Sequence, residues 1–109
     1  MVGLAIPMPV PFLMKSREMW RLGRTQTFVR TARRFLKRNP NLKQVLGITL
    51  ELLETDPHQP RLRLHRLHGQ LDGLWSVPVT PRIRLILTLD LQKNEIVLLH
   101  IGSHDEVYR

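Results

Sequence analysis

The stretch Arg82-Ile83-Arg84-Leu85-Ile86-Leu87-Thr88-Leu89 alternates between two kinds of side chain. In an extended chain Ile83, Leu85, Leu87 and Leu89 share one face, and Arg82, Arg84, Ile86 and Thr88 share the other. A period of two marks a strand with one face on a core. Downstream, Asp90 to Asn94 reads as a polar turn and Glu95 to Ile101 as a final strand, apolar enough for the interior of a sheet. Upstream, Trp75, Val77 and Val79 share a face, and Arg61-Leu62-Arg63-Leu64 alternates directly after Pro60. Gly69 and Gly73 punctuate the segment between them and imply a bend or bulge.

Before Pro60 the period changes. A short strand is expected over Trp20 to Thr25. Phe28, Val29, Ala32, Phe35 and Leu36 then recur at the spacing of one helical face, with Arg30, Arg33, Arg34 and Lys37 opposite. Asn39-Pro40 stops this helix, because a residue before proline avoids the α region. Asn41 is placed to cap a second helix carrying Leu42, Val45, Leu46, Thr49, Leu52 and Leu53, which Asp56-Pro57 ends. Helices grouped ahead of consecutive strands imply an α+β fold: an N-terminal strand and a helical hairpin packed on one face of an antiparallel sheet. The reverse face is then expected to be solvated.

The 109 residues suit one compact domain. With 42% hydrophobic residues the chain can build a core, so it is not a disordered basic tail. It has no cysteine, which excludes disulfide-stapled scaffolds and thiolate zinc sites and suits a reducing, cytoplasmic setting. No apolar run approaches the roughly 18 residues of a membrane span. Residues 1–14 are apolar, uncharged and interrupted by Pro7, Pro9 and Pro11, so they read as a disordered tail or an overextended start ahead of Met14 or Met19. Residues 15–109 form the expected domain.

The formal net charge is +8, carried mainly by arginine, whose planar fork pairs bidentately with phosphate. Such a cationic surface suits RNA, DNA, the ribosome or an acidic protein partner, and Arg30, Arg33, Arg34 and Lys37 on the first helix, with Arg61, Arg63 and Arg82, are the candidate RNA-binding residues. Two charges within a strand, Arg82 and Arg84, call for an anion on that face, supplied either by Asp72, Asp90 or Glu95 or by a phosphate. His65 and His68, with His100 and His104, have spacings compatible with nitrogen ligands for zinc, but the surrounding charge is positive and repels a cation. No metal or other cofactor is expected. Acid–base chemistry fits better, because imidazole both takes and gives protons near neutrality. RNA cleavage by the ribose 2′-hydroxyl needs a base, an acid and cations on the phosphate, and histidine, arginine and tyrosine supply all three.

The segment Leu64-His65-Arg66-Leu67-His68-Gly69-Gln70-Leu71-Asp72-Gly73-Leu74-Trp75-Ser76-Val77 resembles the hairpin region of the RelE/ParE superfamily of bacterial toxins. Arg82-Ile83-Arg84-Leu85-Ile86-Leu87 is similar to that superfamily's middle strand. Ile101-Gly102-Ser103-His104-Asp105-Glu106-Val107-Tyr108 resembles the ending of its YafQ/RelE-like mRNA interferases, and the likeness covers about residues 20 to 109. The resemblance implies a RelE-like fold and a ribosome-dependent endoribonuclease that cuts mRNA in the A site. It further implies a cognate antitoxin, with the toxin monomeric alone and hetero-oligomeric in complex. His104 would be an acid or base, Tyr108 would stack on a base or orient the 2′-hydroxyl, Arg84 would stabilise the transition state, and His65 is a second acid–base candidate. YafQ-like members carry a histidine and then an aspartate where this chain has Pro78 and Arg82. A ParE-like gyrase inhibitor and a non-catalytic basic nucleic-acid-binding module are the alternatives.

Overall fold

The computed structural model describes residues 19–107. The expectations for residues 1–14 and for Tyr108 lie outside the described residues. The chain forms β1 (Arg21–Arg24), α1 (Gln26–Arg38), α2 (Lys43–Thr55), β2 (His65–Arg66), β3 (Trp75–Pro78), β4 (Ile83–Asp90), β5 (Glu95–Ser103) and a closing helical turn, α3 (His104–Val107). The strands make one sheet in the order β1-β5-β4-β3-β2. β2 to β5 are antiparallel neighbours, and β1 joins the β5 edge in parallel. This is the expected α+β architecture, with a mixed rather than uniformly antiparallel sheet.

The alternation in β4 does what its pattern implies. Leu85 and Leu87 are fully buried and join Val77, Ile96, Leu98 and Ile101 in the main core, beneath Phe28 and Phe35 of α1 and Leu46 and Leu53 of α2. α1 begins at Thr25, whose hydroxyl accepts the Phe28 amide at 3.0 Å as an N-cap. The same hydroxyl reaches the carbonyls of Leu98 and Leu99 on β5, both at 3.3 Å. β1 pairs with β5 only as far as Leu98. Beyond that point α1 takes over, and the Ile101 amide donates to the Thr31 hydroxyl at 3.3 Å in a buried setting.

β5 carries a bulge. Ile86 lies opposite His100 and Leu87 opposite Leu98, which leaves Leu99 unpaired. The extra residue lets Leu98 and Ile101, three positions apart, both face the helices, while Leu99 packs on the other side.

Four local expectations change. Arg61 to Leu64 is not a strand: Pro60–Leu62 forms a 3₁₀ turn, Leu62 plugs the core, and only His65 and Arg66 pair with β3. Pro60 lacks an amide hydrogen and has its φ preset for a helical first position, so it starts a turn. Arg82 lies in the β3–β4 turn, exposed, because Pro81 cannot donate to a ladder and the Thr80 hydroxyl accepts the amides of Arg82 and Ile83. Asn41 caps nothing: Pro40–Leu42 is a 3₁₀ turn that runs into α2, which starts at Lys43 without a side-chain cap. The reverse face is covered in part, since Ile86 of β4 is buried with Leu67 and Val107 and flanked by Leu71, Leu74 and Leu99.

Thr31→Val would remove the acceptor of a buried amide and is expected to cost about 1–3 kcal/mol. Thr31→Ser should retain most of the stability. Urea denaturation measures both, and an unchanged midpoint for Thr31→Val would show that the α1–β5 tether is unimportant.

Candidate active site

The antiparallel register lays one row of residues across the reverse face. His65 of β2 lies opposite Ser76 of β3, Ser76 opposite Ile86 of β4, and Ile86 opposite His100 of β5. Arg84 stands two residues from Ile86 on the same face, opposite Pro78 on one side and Gly102 on the other. His104 opens α3 two residues beyond Gly102. The structure therefore brings His65 and Arg84 to one face, with the backbone of His104 at the end of the neighbouring strand.

Ser76 links them. It is fully buried, and its hydroxyl accepts from Arg84 Nη1 at 3.3 Å and meets His65 Nε2 at 3.5 Å. His65 Nδ1 lies 3.2 Å from the carbonyl oxygen of Arg63. That carbonyl is aimed by an unusual backbone: Arg63 has φ 54°, a left-handed conformation that costs a non-glycine residue about 1–2 kcal/mol. Strain of this kind persists where the surroundings fix it, often beside a functional group.

The carboxylates considered as partners for the strand arginines are engaged elsewhere. Glu95 pairs with Arg21 at 2.9 Å and Asp72 with Arg66 at 3.6 Å, while the Asp90 carboxylate accepts the amides of Gln92 and Lys93. Among the described residues, the polar partner of the half-buried Arg84 guanidinium is the Ser76 hydroxyl. A guanidinium with a neutral partner keeps its charge uncompensated and suited to a phosphate. Also among the described residues, no group of three or more His, Asp or Glu side chains could hold a metal ion.

The candidate RNA-binding residues do not form one patch. Arg30, Arg33, Arg34 and Lys37 are exposed on α1, on the helical side of the sheet, and Arg61, Arg63 and Arg82 are exposed in turns. Arg34, with Arg38, lines a small cleft against Ile83, His100 and Gly102, beside the strand end that holds Arg84. Ser76 and Arg38 were not among the sequence candidates. The alternation of Trp75, Ser76 and Val77 does place Ser76 on the face of Arg84, so the signal was present.

A helical pair over a five-stranded mixed sheet is the architecture of RelE-like toxins. The model of the family described as "Bacterial toxin of type II toxin-antitoxin system, YafQ" matches residues 20–109, and the chain belongs to that family. Solved structures agree in fold. YafQ from E. coli is 20% identical with a TM-score of 0.64, covering 83% of this chain and 99% of that one. A metal-bound toxin from Helicobacter pylori is 24% identical with a TM-score of 0.65, covering 82% and 99%. A YoeB/ParE toxin from Agrobacterium tumefaciens is 15% identical with a TM-score of 0.65, covering 77% and 98%. No curated protein matches the chain. Among the described residues no helix is long and apolar enough to cross a membrane.

The reverse-face cluster around Ile86 holds the closing turn α3 through Val107. Leu67→Ala should therefore destabilise the protein by about 2–3 kcal/mol, at the low end for a buried leucine because the cluster is small. Amides of residues 105–107 should exchange with deuterium faster than those of β4. Uniformly faster exchange throughout the protein would mean that the cluster has no separate role.

Proposed function

We propose that this chain is a ribosome-dependent endoribonuclease toxin that cuts mRNA in the ribosomal A site and so inhibits translation. The observation that supports this reading is the Arg84 guanidinium, partly buried, partnered by a neutral hydroxyl, and linked through it to His65. In the proposed reaction the ribose 2′-hydroxyl attacks the adjacent phosphorus and the bond to the 5′-oxygen breaks. The products are a 2′,3′-cyclic phosphate and a 5′-hydroxyl. His65 and His104 divide the two proton transfers, one accepting from the 2′-hydroxyl and the other donating to the leaving oxygen. Arg84 stabilises the charge that builds on the phosphate oxygens. Tyr108 stacks on a base or orients the 2′-hydroxyl. The nucleophile belongs to the substrate, so the chemistry needs no metal-bound water.

Arg30, Arg33, Arg34, Lys37, Arg61, Arg63 and Arg82 bind phosphates of rRNA and mRNA in this reading. Their distribution over α1 and separate turns suits a protein enclosed by RNA in the A site. A cognate antitoxin is the expected protein partner, and a solved E. coli DinJ-YafQ complex that contains a chain 21% identical to this one supports that reading. The toxin works in the cytoplasm and is monomeric when free of antitoxin.

Induced expression followed by primer extension on a translated reporter tests the proposal. In-frame cuts that vanish when translation is blocked are the expected result. Arg84→Ala should lower cleavage by about 10²–10³-fold, the cost of removing one transition-state donor. Cuts that persist without translation would overturn ribosome dependence. Absence of cuts together with inhibited DNA supercoiling would identify a gyrase inhibitor instead. Replacing Arg30, Arg33 and Lys37 with alanine should weaken ribosome binding and reduce its salt dependence by up to about three phosphate contacts. Binding with an unchanged salt slope would exclude the α1 face.

A further inference from the structure

The hydrogen-bond chain Arg84–Ser76–His65–Arg63 has a fixed direction, because of what its two ends can do. A guanidinium only donates, so the Ser76 oxygen accepts from Arg84 Nη1. Among the described residues, Ser76 has one further polar side-chain partner, His65 Nε2, and the serine is fully buried. A buried hydroxyl hydrogen needs an acceptor, and Nε2 is the acceptor within reach. At the far end the Arg63 carbonyl only accepts, so His65 Nδ1 must be the donor across 3.2 Å. Both ends therefore demand the same tautomer of the neutral ring: hydrogen on Nδ1 and a lone pair on Nε2. It is the opposite of the form that predominates in free histidine.

We infer that Ser76 is a positioning residue, which holds His65 in the Nδ1–H tautomer and makes Nε2, on the Arg84 side of the ring, the nitrogen that removes the proton from the ribose 2′-hydroxyl. This assignment rests on the nuclease reading and sharpens it: His65 is the general base, and the acid role falls to His104. The Ser76 contact to Nε2, at 3.5 Å, lies at the long limit of a hydrogen bond. A ribose hydroxyl beside an Arg84-bound phosphate can replace it. Ser76 thus occupies, in the free protein, the donor position that the substrate hydroxyl takes during the reaction. Nδ1 is closed to that role, since the left-handed turn at Arg63 aims a backbone carbonyl at it. The proton leaves the 2′-oxygen for Nε2 as the oxygen–phosphorus bond forms, and the ring, then protonated on both nitrogens, remains bonded to the Arg63 carbonyl.

Nitrogen-15 NMR of the His65 ring in the whole protein, at a pH where the ring is neutral, reads the tautomer directly. The expected spectrum shows a bonded hydrogen on Nδ1 and none on Nε2. Ser76→Ala should move the ring toward the Nε2–H form, and Ser76→Thr, which keeps a hydroxyl, should restore the original signature. In single-turnover cleavage on programmed ribosomes, Ser76→Ala should slow the chemical step by about 10-fold or more, a part of the roughly 10²–10⁴-fold that a general base supplies. It should have no further effect in a His65→Ala background, because the two act through one group. A hydrogen on Nε2 in the unaltered protein would overturn the inference, as would losses from Ser76→Ala and His65→Ala that simply add. The ring spectrum does not depend on activity. A protein with the expected tautomer that cleaves no mRNA would therefore sink the nuclease reading and leave the Ser76 assignment of the ring standing.

Discussion

A backbone amide taken out of water must find an acceptor, and the course of β5 is the place where this constraint shapes the molecule. β5 has a full antiparallel neighbour in β4 but a four-residue parallel neighbour in β1. Where β1 ends, threonine hydroxyls from α1 take its place: Thr25 meets the Leu98 and Leu99 carbonyls, and Thr31 receives the Ile101 amide. Two hydroxyls thus join helix to sheet at the point where the bulge resets the facing of the strand. Gly102, opposite Arg84, and His104, at the head of α3, take their places from that junction.

The reverse face serves two purposes. Ile86, Leu67 and Val107 form a small apolar cluster that keeps the closing turn against the sheet. On the same face, Arg84, Ser76 and His65 form a polar chain. The serine is fully buried, and its pairing with Arg84 and His65 offsets the cost of taking its hydroxyl out of water.

Much of this was legible in the residues. The alternation of β4 fixed which side chains enter the core, and the helical spacing from Phe28 to Leu36 placed α1 correctly. Three features were not read correctly, one for a local reason and two because they depend on contacts distant in sequence. The proline at position 60 turned an alternating run into a 3₁₀ turn, since the missing amide outweighed the pattern. The bulge at Leu99 is visible only when Leu98 and Ile101 are seen to share a core. Covering of the reverse face needed Leu67 and Val107, from two different segments, to meet on Ile86. For the site, His65 and Arg84 stood out by residue type, whereas Ser76 did not, because serine carries no charge to draw notice.

The edges of the sheet have a consequence for how the molecule behaves among its copies. An exposed strand edge is a template for pairing with a neighbour. Here one edge is the four-residue β1, with Arg21 and Arg24 exposed, and the other is the two-residue β2, which holds Arg66. Antiparallel pairing of two β1 strands would set arginine against arginine, a like-charge arrangement that disfavours association. The like charges at the edges thereby guard the sheet against pairing with its own copies.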